Sequence, residues 1–240
     1  MRIGIVSDVH SNLTALEAVL QDMGAVDAVW CLGDFVGYGP YPNECIALLR
    51  DRGGAAIAGN HDLAAIGTIS TRDFNKDAAA ATKWTTKNLT SEAHQYLASL
   101  QPISEAGGVT LAHGSPRDPI WEYVLDSRVA WANLSELPTE LCLVGHTHIP
   151  SVFVDAEDGL VMSYMPDGTV HTLDGSRTIA NPGSVGQPRD HDPRAAYLVY
   201  DTDAATLEWR RVAYDIAATQ KQMRKVHLPR PFIERLDYGA

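Results

Sequence analysis

The sequence feature that most constrains the fold is a short apolar strand that ends in a polar cluster. Residues 3–6 form an apolar run typical of a strand buried on both faces, and Asp8 and His10 follow it. Their side chains point the same way and could hold one metal ion beyond the strand's carboxyl end, where open α/β sheets place ligands. In the alternative interpretation, Asp8 caps the turn and His10 is an ordinary loop residue.

The same arrangement returns four more times along the chain. Each time, an apolar strand precedes a turn that carries a carboxylate, an amide or an imidazole. The residues of all five strand ends are Asp8, His10, Asp34, Asn60, His61, His113, His146 and His148. Glycine stands beside four of the five, where close backbone packing or a positive φ would require it. If each polar residue merely capped its own strand, the pattern would require five separate coincidences. The recurrence therefore indicates that these residues share one site.

Composition narrows the class of protein. The 240 residues fit one large domain or two small ones, and 45% hydrophobic with 20% charged residues is an ordinary globular composition. A formal charge of -11 argues against binding to a nucleic-acid duplex, which needs a basic surface. It leaves room for a small phosphorylated substrate, because bound divalent cations can reverse the local field.

Three features of the sequence indicate the cellular compartment. They are the three cysteines, the N-terminus and the hydropathy. Cys31, Cys45 and Cys142 lie in apolar segments without CxxC spacing, which is typical of buried small hydrophobes in a reducing compartment. The chain enters its first strand without a signal peptide, and no apolar run approaches the roughly 18 residues of a membrane span. We therefore expect a cytoplasmic protein without membrane contact.

The order of elements predicts the fold class. Up to about residue 150, apolar strands alternate with helices, which predicts crossover connections and a largely parallel sheet. The predicted strands here are 3–6, 28–32, 55–58, 109–112 and 140–144. Residues 63–105 are interpreted as a helical insertion over or beside the site, and residues 216–240 as a final helix and tail.

After Pro150, six short strands follow without intervening helices, with hairpin signals at Asp158-Gly159 and Asp167-Gly168. This pattern predicts a second, mostly antiparallel sheet. The expected fold is therefore a single α/β domain of two mixed β-sheets, packed face to face and flanked by helices as an αββα sandwich.

The strand-end motifs resemble, in order, the motif series of the calcineurin-like metallophosphoesterase superfamily. The matching motifs are Asp8-x-His10, Gly33-Asp34, Gly59-Asn60-His61-Asp62, His113 and Gly145-His146-Thr147-His148. A later segment resembles the bacterial phosphodiesterase branch and extends the similarity to nearly the whole chain: Asn181-Pro182-Gly183-Ser184 with Pro188-Arg189.

The resemblance implies two divalent transition-metal ions and assigns their ligands. One ion would be held by Asp8, His10 and His148, the other by Asn60, His113 and His146, and Asp34 would bridge them. Oxygen and imidazole ligands without thiolate suit manganese, which we expect, and also iron, zinc or nickel. The implied reaction is metal-activated hydroxide attack on a small phosphodiester or nucleotide. His61 would stabilise or protonate the leaving oxygen, with a structural histidine as the alternative.

The sequence departs from the Ser/Thr protein phosphatases of the superfamily after the bridging aspartate. Where those enzymes have Asp-Arg-Gly, this chain has Phe35-Val36-Gly37-Tyr38-Gly39-Pro40. This segment therefore lacks the aspartate that would orient His61 and the arginine that would bind phosphate through two hydrogen bonds. Their absence argues against protein-phosphatase activity. The candidate substrate contacts are Asn12, Tyr38, Arg117 and Arg189. Their alternatives are a helix cap for Asn12, a core position for Tyr38 and exposed loop positions for the two arginines.

Three other functions remain as alternatives, and a Ser/Thr protein phosphatase-like enzyme is the first of them. Some relatives with a similar Gly-Tyr-Gly-Pro motif hydrolyse dinucleoside polyphosphates such as diadenosine tetraphosphate asymmetrically. Other members of the superfamily are non-catalytic scaffolds, usually with degraded metal ligands. All seven ligands are present here, which favours an enzyme.

Overall fold

The computed structural model describes all residues from 1 to 240 and contains eleven strands and eight helices. The strands are β1 (Arg2–Val6), β2 (Ala28–Cys31), β3 (Ile103–Ala106), β4 (Val109–Ala112), β5 (Leu141–Val144), β6 (Ser151–Ala156), β7 (Gly159–Tyr164), β8 (Val170–Thr172), β9 (Thr178–Asn181), β10 (Ala195–Asp201) and β11 (Thr206–Val212). The helices are α1 (Leu13–Met23), α2 (Pro42–Arg52), α3 (Asn60–Ala65), α4 (Lys76–Asn88), α5 (Ser91–Ser99), α6 (Ser127–Leu134), α7 (Ile216–Lys225) and α8 (Arg230–Glu234). Two short 3₁₀ turns lie at Thr71–Asp73 and Arg235–Asp237.

The strands form two sheets, and both are mixed. The five-stranded sheet has the order β2-β1-β10-β11-β8, and the six-stranded sheet has the order β3-β4-β5-β9-β6-β7. In the first sheet, β1 runs parallel to β2 and antiparallel to β10. In the second, β5 runs parallel to β4 and β9, whereas β6 runs antiparallel to β9.

The two sheets pack face to face through one apolar core. Ile5, Leu198 and Trp209 of the first sheet pack in the same cluster as Leu111 and Leu143 of the second. Because side chains alternate along a strand, the other face of each sheet is free to bury helices.

Helices cover both outer faces. Leu16 of α1, Ile46 of α2 and Leu97 of α5 pack on the outer face of the five-stranded sheet. Ala130 and Leu134 of α6 pack on the six-stranded sheet. The predicted αββα sandwich of two mixed sheets is confirmed.

Three local predictions are wrong. Residues 55–58 form only an isolated bridge to Cys31, because Ala58 N turns away to donate to Gln101 O at 2.8 Å. The Asp167-Gly168 turn joins β7 of one sheet to β8 of the other and is therefore no hairpin. Its Gly168 N donates to Trp209 O (2.8 Å), which fixes the turn on β11.

The third wrong prediction is a separate antiparallel sheet after Pro150. The strands of this region divide between the two sheets, since β8, β10 and β11 join β1 and β2 whereas β6, β7 and β9 join β4 and β5. By contrast, the Asp158-Gly159 signal does mark a hairpin, with Ala156 paired to Gly159.

The segment predicted as a helical insertion contains α4 and α5, but its last residues form β3, which pairs antiparallel with β4. The interpretation of residues 63–105 as an insertion stays a prediction. The three cysteines are buried and free. None of the eight helices combines the length and the apolar character that crossing a membrane requires.

Candidate metal centre

The seven predicted metal ligands lie together where four strands end. Asp8 follows β1, Asp34 follows β2, His113 follows β4 and His146 follows β5, while Asn60 is the first residue of α3. All seven are buried, none more than 4% exposed. Burial of so many polar groups needs partners or a bound ion to offset the loss of solvation.

The first group consists of Asp8, His10 and His148. His10 Nε2 and His148 Nε2 face each other at 3.2 Å, and Asp8 Oδ1 lies 3.3 Å from His148 Nε2 and 3.8 Å from His10 Nε2. These three atoms are within reach of one common ion.

The second group consists of Asp34, His113 and His146, with Asn60 beside them. His113 Nε2 lies 3.4 Å from Asp34 Oδ2 and 3.2 Å from Asn60 Oδ1. The amide oxygen of Asn60 is therefore aimed at the same point as the imidazole and the carboxylate.

Asp34 connects the two groups through a single oxygen. Its Oδ1 accepts a hydrogen bond from His61 N at 2.9 Å, which fixes the orientation of the carboxylate. Its Oδ2 lies 3.6 Å from His10 Nε2 of the first group and 3.4 Å from His113 Nε2 of the second.

Three of the histidines are oriented by main-chain carbonyls, to which their Nδ1 atoms donate. The pairs are His10 with Val36 O (3.0 Å), His113 with Leu32 O (2.8 Å) and His148 with Gln187 O (2.6 Å). A neutral imidazole that donates from Nδ1 presents a lone pair on Nε2. Such outer hydrogen bonds are the usual way in which proteins aim metal-ligating histidines.

The turns hold five of the ligands in a strained backbone conformation. The φ angles are 52° for Asp8, 48° for His10, 53° for Asp34, 65° for His146 and 63° for His148. Left-handed backbone is uncommon for residues with a side chain, and its clustering is typical of functional sites.

The Asn-Pro-Gly-Ser segment fixes the turns that carry the ligands. Asn181 Nδ2 donates to Gly145 O (2.7 Å) and to Thr147 Oγ1 (3.0 Å), on either side of His146. Ser184 Oγ donates to the main-chain oxygen of Asp8 at 2.8 Å. This segment therefore ties the β1 turn to the β5 turn without providing a ligand of its own.

Burial and the two carboxylates set the charge states of the ligands. Burial lowers the pKa of His10 and of His148, and lowers that of His146 to about 3. Although burial also opposes ionisation of His113, the Asp34 carboxylate raises its pKa to about 9. Of these four imidazoles, that of His113 is therefore the one whose surroundings favour the charged form.

These residues fit a pair of divalent cations. Asp8 Oδ1 and His146 Nε2 are buried and have no hydrogen-bond partner, and both are directed into the cluster. All the donor atoms are oxygen or nitrogen, which suits manganese, iron, zinc or nickel and disfavours a thiolate-dependent site.

His61 lies beside the ligands without belonging to either group. Its ring lies between those of Tyr38 and Phe74, with centroids at 4.4 and 4.6 Å, and its Nδ1 is buried without a partner. Burial lowers the pKa of His61 to about 4. A Cβ on Gly37 would lie 2.7 Å from His61 Nδ1, so no side chain fits there without movement.

The four residues predicted to contact the substrate lie in different environments. Asn12 is 2% exposed and caps α1, where its Oδ1 accepts from Ala15 N and from Thr219 Oγ1, while its Nδ2 donates to Gly186 O. The alternative interpretation of Asn12 as a helix cap describes these contacts, which use its side-chain oxygen and one of its two N–H donors.

The two arginines also differ from each other. Arg117 pairs with Glu122, and this ion pair lowers the pKa of Glu122 to about 2 against the effect of burial. Arg189 instead lies beside the metal centre, with its main-chain N donating to His148 O at 3.4 Å. The ring of Tyr38 packs at a tilt against those of His10 and His61, with ring centroids 4.4 Å apart in both pairs.

Sequence reasoning gave no role to Asp62 or to Tyr123. Asp62 accepts hydrogen bonds from Gly59 N (2.9 Å) and Val36 N (3.1 Å), so it joins two ligand-bearing turns. The position of Asp62 directly after Asn60 and His61 in the Gly-Asn-His-Asp motif was the sequence signal that could have indicated this role. Tyr123 stacks on His146 with centroids 4.0 Å apart, and no sequence pattern indicated it.

The fold and this cluster together define a metal-dependent phosphoesterase. The sequence model of the calcineurin-like phosphoesterase superfamily domain matches residues 1–205. The chain belongs to this superfamily and is a hydrolase.

Three similar proteins support the assignment to different extents. A crystal structure of a metallophosphoesterase from Sphaerobacter thermophilus is 48% identical, covers 100% of this chain and 99% of its own, and superposes with a TM-score of 0.92. An uncharacterized protein of Methanocaldococcus jannaschii is 39% identical over 99% of this chain and 98% of its own length. A symmetrical bis(5'-nucleosyl)-tetraphosphatase of Thioalkalivibrio sulfidiphilus is 41% identical over 68 residues, 26% of this chain and 25% of its own.

Proposed function

We propose that this chain hydrolyses a small phosphodiester or nucleotide with two divalent transition-metal ions, manganese among the candidates. One observation carries the proposal: two groups of buried acceptor atoms converge on either side of Asp34 Oδ2. In this proposal Asp8, His10 and His148 hold one ion, Asn60, His113 and His146 hold the other, and Asp34 bridges them.

The ions, when bound, supply an activated water and positive charge against the phosphoryl oxygens. The residues of the chain orient the ligands and exclude water. His61 N holds the Asp34 carboxylate, and the carbonyls behind His10 and His113 keep their Nε2 lone pairs directed inward.

His61 is proposed to act on the leaving oxygen. No hydrogen bond within the protein uses the ring nitrogens of His61, and because Nδ1 is buried against Gly37, donation to a substrate atom would come from Nε2. Tyr38 and Phe74 pack against the ring, and the burial of His61 strengthens such a hydrogen bond.

Hydrolysis of a dinucleoside polyphosphate such as diadenosine tetraphosphate is a second candidate. The local similarity to the symmetrical bis(5'-nucleosyl)-tetraphosphatase favours it. The products separate the modes of cleavage, because symmetric attack releases two molecules of ADP whereas asymmetric attack releases AMP and ATP.

A substrate comparison with metal-free and manganese-loaded protein tests the proposal. The substrates are bis(p-nitrophenyl) phosphate, p-nitrophenyl phosphate, a cyclic nucleotide and diadenosine tetraphosphate. We expect hydrolysis of at least one diester or nucleotide with manganese, and loss of that activity after chelation. Full activity in protein shown by elemental analysis to lack metal would contradict the two-ion site, and inactivity on all four substrates would contradict the substrate class.

A further inference from the structure

Two arginine side chains share one neutral acceptor beside the metal centre. Arg189 Nη2 lies 3.4 Å and Arg235 Nη1 lies 3.2 Å from Gln187 Oε1. Arg235 also donates to the main-chain oxygen of Ala240. Arg189 forms no ion pair with a carboxylate, and its Nε is buried without any hydrogen-bond partner.

The other arginines of this region are neutralised. A cleft of about 630 Å³ is lined by Arg189, Arg194 and Arg211. Arg194 pairs with Asp192 at 2.7 Å and Asp167 at 2.8 Å, and Arg211 pairs with Asp190. Like charges at short range repel each other, and a bound anion would offset that repulsion.

Repulsion between the two arginines is part of their environment. Burial lowers the pKa of Arg235, and the charge of Arg189 lowers it further. An anion placed between the two guanidinium groups would relieve this repulsion and replace the single amide oxygen that they share.

The arginine pair adjoins the first group of metal ligands. Gln187 O accepts from His148 Nδ1 at 2.6 Å, and Arg189 N donates to His148 O at 3.4 Å.

We propose that Arg189 and Arg235 bind a second phosphate of the substrate, so that the preferred substrate carries at least two linked phosphates. This inference rests on the proposed function. A simple diester has one negative charge, which two divalent ions already exceed, whereas two further cations suit a longer phosphate chain. The cleft beyond Arg189, lined also by Ile149, Pro150 and Tyr164, offers space for a nucleoside.

The ratio of two activities tests the second-phosphate site. We compare kcat/KM for diadenosine tetraphosphate with kcat/KM for bis(p-nitrophenyl) phosphate in the manganese-loaded enzyme. Arg189→Gln and Arg235→Gln should each lower the ratio about tenfold or more, as expected for loss of a charge-assisted hydrogen bond. Arg194→Gln, which removes an arginine already paired with carboxylates, should leave the ratio unchanged. An unchanged ratio in Arg189→Gln and Arg235→Gln, including an equal loss of kcat/KM on both substrates, would overturn the inference.

Binding of inorganic tripolyphosphate separates this inference from the proposed function. In metal-free protein, tripolyphosphate should raise the Tm of the wild type and of Arg194→Gln, and raise it much less in Arg189→Gln and Arg235→Gln. Arg235→Lys keeps the charge and controls for misfolding, so it should retain part of the shift. An identical shift in all variants would exclude the arginine pair as the anion site, even in an active enzyme. A shift that persists in the wild type and in Arg194→Gln but falls in the two glutamine variants of the pair would support the pair even if no substrate were hydrolysed.

Discussion

The two groups of proposed metal ligands balance their charge differently. In the first group, His10 Nε2 and His148 Nε2 face each other at 3.2 Å while both Nδ1 atoms donate to carbonyls, so two lone pairs are opposed. In the second group, His113 faces Asp34 and Asn60, and its pKa is raised to about 9 because of the Asp34 carboxylate.

This difference shows which interactions hold each of the two groups in place. The second group is held partly by attraction between an imidazole and a carboxylate. The first group has opposed lone pairs and an unpartnered Asp8 Oδ1, so its geometry depends on the outer hydrogen bonds and on the strained turns. Variants that remove one group, both groups or their connection test whether the halves act separately.

Loss of the shared carboxylate should have the largest effect. Asp34→Asn weakens the one residue that faces both groups, so we expect loss of both bound ions and of nearly all activity. Metal content by elemental analysis, measured together with kcat/KM, checks this. Asp158→Asn, at an exposed turn, is the matched control and should retain both ions. Retention of two ions by Asp34→Asn would show that Asp34 does not bridge.

Removing a ligand of one group should cost one ion. His148→Asn removes a donor atom of the first group and His146→Asn one of the second, so each variant should keep about one ion per chain and lose less activity than Asp34→Asn. Elemental analysis of the two variants side by side provides the measurement. If either variant loses both ions, the two groups depend on each other.

The site could be predicted from the sequence because its residues lie in short strand–turn segments. A buried strand followed by a polar residue places that residue at a sheet edge, and five such segments indicated one location. The side-chain environment was not accessible in the same way. Asn12 contacts Gly186 and Thr219, which lie 174 and 207 residues away, and local patterns contain nothing about such contacts.

The fold shows the same limit. Apolar alternation predicted the strands after Pro150, but their division between two sheets depends on pairing over long distances, such as β10 with β1. Arg235 lies in the C-terminal tail, where no motif distinguishes it from other exposed arginines, and only the folded chain brings it to Gln187.

Substitution of His61 should lower turnover and leave both groups of proposed metal ligands intact. Since it contacts Asp34 only through its main-chain N, His61→Ala should keep both ions. We expect kcat to fall by roughly 10²–10⁴-fold, the range for loss of a group that assists proton transfer. The fall should be larger for a nucleoside leaving group than for nitrophenolate, which departs without a proton. His94→Ala, on the exposed part of α5, is the control. Metal loss in His61→Ala would mean that His61 is a ligand, and equal losses on both leaving groups would exclude a role in their protonation.

The smallest expected effect concerns the link between the two groups. Asp62 accepts from Val36 N, and the carbonyl of Val36 in turn orients His10 of the first group. The same carboxylate accepts from Gly59 N, directly before Asn60 of the second group. Because this one side chain supports both turns, Asp62→Asn should weaken both ions to a similar degree.

The physical change in Asp62→Asn is the loss of one acceptor. The amide can accept from one main-chain N–H but places its own NH₂ against the other, which leaves a buried donor unpaired and costs about 1–3 kcal/mol of unfolding free energy. Activity should fall about 10–100-fold, as for other residues that support metal ligands. Urea denaturation and metal titration measure the two effects, with Asp158→Asn as the exposed control. Selective loss of one ion would show that Asp62 supports only one turn, and wild-type stability and activity would remove it from the site.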